Sequence, residues 1–424
     1  MKYVSHAKCM ICGKRFEKSE FDYICPDHGN EGILDIQYDY DAIKKAFTKK
    51  KLAANKDLSI WRYKPLLPVD ENSQVPNLSV GNTPLLKLEA LADELGVSRL
   101  YLKDDGRLPT ASFKDRASAI AVVKAREAGV QVVTTASTGN AAAALSGLCA
   151  SMGQENIIFV PASAPQAKIA QLLMFGSKVI LVDGTYDDAF ELCLEAAQEY
   201  GWYNRNTGYN PYMSEGKKTC AFEICEQLDW KAPDVIFVSV GDGCIIGGIH
   251  KGLKDLFHLG WIDKIPRLMG VQAEGSSYLY QAWKNNENIV TKPGINASTI
   301  ADSISAGLPR DRIKALDAVK FTKGEFIMVS DEEIIKAIPD LARKTGVFAE
   351  PAGAATWAGV KKAVQNKILK AHDQVVVINT GSGLKDINAA MKAVEQTNMQ
   401  YYTVEPSMDH FREHFKKIAS DLKL

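Results

Sequence analysis

Residues 234–248, DVIFVSVGDGCIIGG, decide the fold of this chain. The opening run, Asp234–Val240, is almost continuously apolar, which is typical of a strand buried on both faces of a parallel sheet. The glycines that follow, Gly241 to Gly248, open a helix, so backbone N–H groups can converge there on a phosphate. A tight turn that only allows close helix packing is the alternative. The spacing differs by one residue from the dinucleotide-binding fingerprint, so it favours phosphate binding without specifying a cofactor.

Similar apolar runs recur on both sides of this stretch and predict further buried strands at Gln131–Ala136, Asn156–Pro161, Lys178–Asp183, Arg267–Ala273 and Asp373–Thr380. Helix-like segments separate them; one of these, DDAFELCLEAAQEYG, ends at Gly201, a favourable helix stop. Alternating strands and helices predict α/β architecture with parallel sheets and right-handed crossovers.

The length and charge composition of the chain limit the classes of function. A length of 424 residues suggests two or three domains, and equal numbers of basic and acidic residues, 51 each, disfavour nucleic acid or an anionic membrane as the main partner. The polar start lacks the apolar core of a secretory signal, and no stretch approaches the ~20 apolar residues of a membrane span. Together with scattered cysteines, which are typical of reduced thiols, these features predict a cytoplasmic protein.

Residues 1–40 form a unit of their own, in which Cys9-x-x-Cys12 is followed by Cys25-x-x-His28. Two such pairs can place four ligands in a tetrahedron around Zn²⁺, so we predict a structural, zinc-ribbon-like unit. The alternative is a degenerate knuckle that folds on the main body without metal. A catalytic zinc is disfavoured because no coordination position is left open.

The two flanking segments of the main body have simpler interpretations. Residues 41–80 contain three prolines after a basic helical stretch, which favours a connecting arm that wraps over the surface rather than a core element. The C-terminal segment carries one apolar stripe at helical spacing, predicted to pack on the body or on a second subunit and formed by Met408, Phe411, Phe415, Ile418 and Leu422.

Three more segments carry residues suited to chemistry. The turn Ser137–Asn140 follows a predicted strand and suits a carboxylate, although Ser and Asn are also ordinary helix N-caps. A second glycine-rich turn, Gly381–Asp386, follows the last predicted strand. Lys114 lies just before a helical stretch, where the helix dipole tends to lower the pKa of an amine; an exposed lysine is the alternative. A phosphate cradle, a carboxylate turn and a special lysine are what an amino-acid enzyme using pyridoxal phosphate needs.

Six motifs in order resemble the threonine synthases, which belong to the fold type II pyridoxal-phosphate enzymes: VGNTPLLKL (80–88), ASFKDR (111–116), ASTGN (136–140), EGKKTCAFE (215–223), VGDGCIIGG (240–248) and TGSGLKD (380–386). The resemblance implies two open parallel-sheet α/β domains with the cofactor in the cleft between them, beside the N-terminal unit. The division we predict is 1–40, the zinc-ribbon-like unit; 41–115 with 206–395, the large cofactor-binding domain, including 41–80 as the arm; 116–205, a small mobile domain; and 396–424, a helical tail.

At the matching positions, the resemblance implies that Lys114 is the Schiff-base lysine and the proton shuttle. It also implies that Phe113 lies beside the cofactor ring. Asn140 is similar to the residue that hydrogen-bonds the 3′-oxygen, and Thr380 is similar to the partner of the pyridine nitrogen. The remaining implied contacts are the phosphate cup, formed by Gly241, Asp242, Gly243, Cys244 and Ile245; the substrate carboxylate site, formed by Ser137 and Thr138, with Thr138 also assisting proton transfer; and further substrate contacts from Lys217 and Asn210.

The implied reaction is conversion of O-phosphohomoserine and water to threonine and phosphate, by a homodimeric lyase of threonine biosynthesis. One segment departs from the family. Many threonine synthases carry a pattern like N-S-x-N-P-x-R-x-E-G-x-K-T, and here the run is TGYNPYMSEGKKT, with Met213 at the arginine position. Either Lys217, Arg205 or Asn206 replaces the lost phosphate contact, or the substrate carries a different leaving group.

Other functions remain open from the sequence. Within the same fold, a threonine or serine dehydratase, or a synthase acting on another activated amino acid, would use the same cofactor site. A catalytically silent ligand sensor is disfavoured by Lys114 and the glycine cup, and a nicotinamide-dependent dehydrogenase is disfavoured by the glycine spacing.

Overall fold

The computed structural model describes residues 1–20, 23–137, 139–164, 166–397 and 401–422. The strands are β1 (Val4–Cys9), β2 (Arg15–Phe16), β3 (Leu34–Tyr38), β4 (Leu85–Lys87), β5 (Arg99–Asp104), β6 (Val132–Ala136), β7 (Glu155–Pro161), β8 (Lys178–Val182), β9 (Tyr203–Asn204), β10 (Val235–Ser239), β11 (Arg267–Ala273), β12 (Phe326–Val329) and β13 (Gln374–Asn379). Every predicted strand is therefore confirmed to within a residue at either end.

Helices lie between the strands: α1 (Tyr40–Ala46), α2 (Lys49–Ala53), α3 (Glu89–Leu95), α4 (Lys114–Glu127), α5 (Asn140–Met152), α6 (Gln166–Met174), α7 (Tyr186–Tyr200), α8 (Tyr212–Lys217), α9 (Thr219–Gln227), α10 (Cys244–His258), α11 (Tyr278–Lys284), α12 (Arg312–Phe321), α13 (Asp331–Thr345), α14 (Pro351–Gln365), α15 (Ile387–Gln396) and α16 (Met408–Leu422). As predicted, α7 ends at Gly201, which adopts the left-handed conformation at φ +67°.

Two parallel sheets form the main body. The larger has the strand order β12-β11-β10-β13-β5-β4 and is parallel except for β4, which runs antiparallel to β5. The smaller has the order β8-β7-β6-β9 and is parallel throughout. All five residues of β10 are buried, as a central strand covered by helices on both faces requires. The α/β class with two parallel sheets is confirmed.

The N-terminal unit is a small antiparallel sheet of order β2-β1-β3 that is joined to the main body by buried charges. The Tyr38 hydroxyl donates to Glu215 Oε2 at 2.6 Å, and Lys218 pairs with the same oxygen at 2.6 Å. Lys251 Nζ lies 3.1 Å from Asp35 Oδ1. Since Glu215 and Lys218 flank Lys217, this unit is packed directly against the segment that carries a predicted substrate contact.

The arm at residues 41–80 differs from our prediction of an extended surface wrap. It forms α1, α2 and a short 3-10 helix at Ile60–Leu66, and it places apolar side chains in the core: Ile43, Leu52, Ile60, Trp61, Tyr63, Leu66, Leu67, Val69 and Val80. The prolines misled the prediction because Pro65 is accommodated within the 3-10 helix. The prediction that this segment is not a core element was wrong.

The C-terminal stripe lies on a helix, α16, as its spacing predicts. Its described side chains, Met408, Phe411 and Phe415, are 61%, 39% and 43% exposed, so they are not covered by the body of the same chain. The side chains of Ile418 and Leu422 lie outside the described part of the structure.

None of the described helices is both long enough and apolar enough to span a bilayer. All eight cysteines are free thiols.

Candidate active site

A cavity of about 320 Å³ lies where the carboxyl ends of strands from both sheets face each other. Ala136 at the end of β6 and Ser239 at the end of β10 both line it. In parallel α/β sheets this edge is where ligands bind, because strand ends and helix N-termini meet there. Most of the predicted site residues converge on this cavity.

The glycine turn after β10 forms one wall. Gly241, Asp242, Gly243, Cys244 and Ile245 all line the cavity, and α10 begins at Cys244. Gly243 has φ +92°, and a Cβ there would lie 2.7 Å from the Ala315 Cβ, so glycine is required. The turn therefore presents the first N–H groups of a 15-residue helix to the cavity, which suits a phosphate.

Lys114 is the first residue of α4 and also lines the cavity. Burial, followed by the nearby charge of Lys217, lowers the pKa of its amine to about 8. The turn before it is strained, because Ala111 has φ +63°, a conformation that non-glycine residues adopt at a cost of about 1–3 kcal/mol. A strained turn before a lysine of lowered pKa is an arrangement expected of a reactive amine.

The turn after β6 supplies Ser137 and Asn140, and both line the cavity; Thr138 lies outside the described residues. Asn140 Nδ2 donates to the two carboxylate oxygens of Glu350 at 3.0 and 2.9 Å. Burial raises the pKa of Glu350, which also lines a neighbouring cavity of about 360 Å³. Sequence reasoning missed Glu350, whose only signal is an acid directly before a proline-initiated helix.

Phe113 and Thr380 lie deeper than we expected. Neither lines the cavity; Phe113 is fully buried, with the Arg116 guanidinium carbon 5.5 Å from its ring centre. Its backbone N–H donates to Thr380 O at 2.9 Å, so the two residues lie side by side. Within the described residues, the buried Thr380 hydroxyl has no hydrogen-bond partner. Such a hydroxyl is free to contact a ligand.

The segment that departs from the threonine synthase pattern is divided between the cavity and the core. Arg205, Asn206, Thr207 and Lys217 line the cavity. Met213, in contrast, is fully buried in an apolar cluster and is not part of the lining.

Asn210 is not brought to the cavity either. Its amide nitrogen donates to Asn204 O at 2.7 Å, and its oxygen accepts from the Tyr212 N–H at 2.9 Å. The side chain therefore holds the turn before α8, and the structure gives it no contact with a ligand in the cavity.

The N-terminal unit brings its four predicted ligands together. The sulfur atoms of Cys9, Cys12 and Cys25 and a ring nitrogen of His28 lie within 4.8 Å of one another. Cys9 ends β1, and the Ile11 N–H donates to its sulfur at 3.4 Å, a contact that orients the thiol. His28 Nε2 is buried without a partner among the described residues. Three sulfurs and one imidazole at this spacing form a candidate metal centre.

The model of the pyridoxal-phosphate dependent enzyme family matches residues 77–381, a span that holds the glycine turn, Lys114 and Asn140. The chain belongs to this family. Over nearly its whole length it is homologous to threonine synthases. That of Methanocaldococcus jannaschii is 40% identical over 92% of this chain and 95% of that protein. That of Methanosarcina acetivorans is 39% identical over 96% of this chain and 98% of that protein.

Solved structures show the same fold at lower identity. The processed form of threonine deaminase isoform 2 from Solanum lycopersicum is 24% identical, with a TM-score of 0.63, over 75% of this chain and 88% of that one. Maize serine racemase is 20% identical, with a TM-score of 0.62, over 74% of this chain and 92% of that one. These likenesses confirm the fold type II architecture.

The residues that line the cavity, together with the buried Thr380, fit pyridoxal phosphate. A glycine cradle that a side chain would fill suits the phosphate, an amine of lowered pKa suits the carbonyl carbon, and an unpartnered buried hydroxyl suits the ring nitrogen. The chain is accordingly a pyridoxal-phosphate dependent enzyme of the threonine synthase type.

Proposed function

We propose that this protein is a cytoplasmic threonine synthase, a lyase that converts O-phosphohomoserine and water to threonine and phosphate. The observation that carries the proposal is the convergence of Lys114, the glycine turn and the Ser137–Asn140 turn on one cavity. Homology to threonine synthases over nearly the whole chain supports this choice among the reactions of the fold.

In this proposal Lys114 holds the cofactor, and the N–H groups from Gly241 to Ile245 bind its phosphate. When bound, pyridoxal phosphate supplies an electron sink next to the substrate's α-carbon. Asn140 would donate to the cofactor's 3′-oxygen in exchange for its hydrogen bond to Glu350, and the unpartnered hydroxyl of Thr380 would be the partner of the ring nitrogen. Phe113 does not line the cavity but lies beside Thr380, and its contact with the cofactor ring stays a prediction.

The substrate carboxylate is assigned to the turn Ser137–Asn140 at the N-terminus of α5, with Thr138 assisting proton transfer. Lys114 Nζ, once released from the cofactor, accepts the proton from the substrate α-carbon and returns it later. A pKa of about 8 suits this task, because part of the amine is neutral near physiological pH and its conjugate acid still donates. A proton leaves Cβ as phosphate departs from Cγ, Cγ gains a proton to become the methyl group, and water adds its hydroxyl at Cβ and its proton to the solvent or a nearby base.

A panel of substrates tests this assignment against the other reactions of the fold. Purified holoenzyme is offered O-phosphohomoserine, threonine, serine and O-acetylserine, with phosphate, ammonia, acetate and threonine measured in each case. We expect phosphate and threonine from O-phosphohomoserine alone. Ammonia from threonine or serine at a higher kcat/KM would instead identify a dehydratase.

We also propose a division into domains. The small sheet uses strands from residues 132–204, whereas the large sheet uses strands from 85–104 and 235–379. These ranges support a small domain at 116–205 inserted into a large domain formed by 41–115 and 206–395.

The N-terminal cluster is proposed to bind one structural Zn²⁺. Cys12→Ser removes its exposed ligand, so the variant should lose the metal that the wild type retains without chelator, and the first 40 residues should become protease-sensitive. Metal content is measured by elemental analysis, with Cys149→Ser as the matched control because Cys149 is a buried thiol outside the cluster. Wild-type protein free of zinc would contradict this assignment.

A homodimer is proposed on the exposed stripe of α16, because apolar side chains at helical spacing are suited to a partner helix or groove. Deleting residues 405–424 should shift the protein from dimer to monomer in analytical ultracentrifugation without loss of cofactor. The control is Lys336→Ala, which changes an exposed side chain on α13. An unchanged mass distribution would show that the stripe does not form the dimer interface.

A further inference from the structure

Arg205 is a buried cation that forms no ion pair with a carboxylate among the described residues. It follows β9 directly, lines the cavity and is only 1% exposed. Its Nε donates to Ser118 Oγ at 3.1 Å and one terminal nitrogen donates to Thr207 Oγ1 at 3.4 Å, both neutral hydroxyls. The second terminal nitrogen is buried and has no partner among the described residues. Because an arginine stays protonated at neutral pH, this guanidinium brings a positive charge to the cavity wall. The carboxylate of Asp242, on the same cavity, attracts it without pairing with it and is shared with Lys114 and Lys217.

Lys217 adds a second such charge. It is also 1% exposed and lines the same cavity. Its sequence neighbour Glu215 does not neutralise it, since that carboxylate is bound by Tyr38 and Lys218. Its ammonium lies near the Cys244 thiol and the Asp242 carboxylate, both in the glycine turn. In the part of the chain that the structure describes, neither Lys217 nor Arg205 forms an ion pair with a carboxylate.

Burying charge without a direct ionic partner is costly, so two such cations lining one cavity indicate an anionic ligand. The cofactor's phosphate already has a cradle in the glycine turn and the N-terminus of α10. Arg205 belongs to a different wall, between β9 and α4, and offers the planar fork that phosphate accepts. A second phosphate therefore accounts for it better than the first.

The other side chains suggested by the sequence are already engaged. Asn206 Oδ1 accepts from the Thr135 hydroxyl at 2.8 Å and from the Ala136 N–H at 2.9 Å, which fixes its amide to β6. Met213, at the position where relatives carry arginine, lies in the apolar core and not on the cavity. The anion contact has thus moved to another part of the segment.

We propose that Arg205, assisted by Lys217, binds the phosphate that the substrate loses, and so sets the specificity for a phosphorylated amino acid. The inference rests on the proposed function, because it assigns the leaving group of that reaction to a subsite. It requires that cofactor binding and leaving-group binding depend on different residues of the same cavity.

Arg205→Met removes the charge at similar length and is compared with wild-type holoenzyme. The KM for O-phosphohomoserine and the Kd for inorganic phosphate, measured by titration calorimetry, should both rise by about ten- to a hundredfold, as for one lost charge-assisted contact. Cofactor content should stay at the wild-type level. Arg267→Met is the matched control, since Arg267 pairs with Asp373 at the amino end of β11, and its KM and Kd should not change.

Arg205→Lys keeps the positive charge but lacks the planar pair of guanidinium donors, so its Kd for phosphate should be intermediate. This variant keeps the proposal testable if Arg205→Met folds poorly. Unchanged phosphate binding in Arg205→Met would overturn the proposal. So would loss of the cofactor with unchanged phosphate binding, which would assign Arg205 to the cofactor's phosphate. The calorimetric measurement is independent of turnover. A wild type that binds phosphate through Arg205 but releases none from O-phosphohomoserine would reject the proposed reaction and retain the subsite.

Discussion

Lys114→Ala is expected to abolish turnover while leaving the fold intact. Its amine is the group proposed to hold the cofactor and to carry the α-proton. Loss of the proton transfer alone should lower kcat by about a hundred- to ten-thousandfold. The covalent attachment is lost as well, so the visible absorption of the holoenzyme should change and the cofactor should become removable by dialysis.

The control for this variant is Lys124→Ala on the same helix. Lys124 pairs with Glu127 at 2.6 Å and does not line the cavity, so cofactor content and kcat should remain at wild-type values. Full activity in Lys114→Ala would end the assignment of the active site. Equal loss in both variants would show that α4 tolerates no change, and the lysine would then have no special role.

Arg116→Leu is expected to produce the largest loss of stability. Its guanidinium is fully buried, 2.6 Å from Asp105 Oδ2 and 2.6 Å from Glu223 Oε1, and Lys103 pairs with the same glutamate at 2.8 Å. Removing one member of a buried ionic cluster leaves carboxylates without compensation and costs about 3–5 kcal/mol. Since Arg116 is two residues from Lys114 on α4, local loosening should also weaken cofactor binding.

The loss of stability in Arg116→Leu should become smaller as the pH falls. Burial opposes ionisation of Glu223, but the charges of Arg116 and Lys103 outweigh it and hold the pKa of this carboxyl well below its usual range. A lowered pKa contributes stability that is present above the unfolded value, near 4.5, and is lost as the pH falls below it. Without Arg116, protonation of Glu223 costs the folded state less. The difference in free energy of unfolding between wild type and variant should therefore become smaller under acid conditions.

Urea unfolding at neutral pH and near pH 4 measures both effects. Lys87→Met serves as the control, because Lys87 forms an exposed pair with Glu89 and should leave the unfolding midpoint unchanged. A midpoint for Arg116→Leu within experimental error of the control would mean that the buried cluster does not stabilise this fold.

Much of this fold could be predicted because its strands are buried on both faces. The runs that become β10 and β13 are apolar almost without interruption, a pattern that surface elements do not show. The glycine turn and Lys114 could be predicted because the chemistry restricts residue type there. Gly243 needs a positive φ and has no space for a side chain.

Other parts depend on tertiary contacts that leave little trace in the sequence. Glu350 reaches the site through Asn140, 210 positions earlier in the chain, and a single acid before a helix does not indicate such a partner. Met213 stands where the predicted threonine synthase pattern has an arginine, yet its side chain lies in the core, because its position along α8 decides which face it occupies. In the arm, prolines suggested an exposed segment although the neighbouring apolar residues fill the core.

Simultaneous measurement of phosphate and threonine from O-phosphohomoserine, using purified holoenzyme, tests the central claim most directly. The account predicts that both products form in equal amounts and that neither forms with Lys114→Ala. Phosphate released without threonine, or no phosphate released by fully loaded wild-type enzyme, would contradict it.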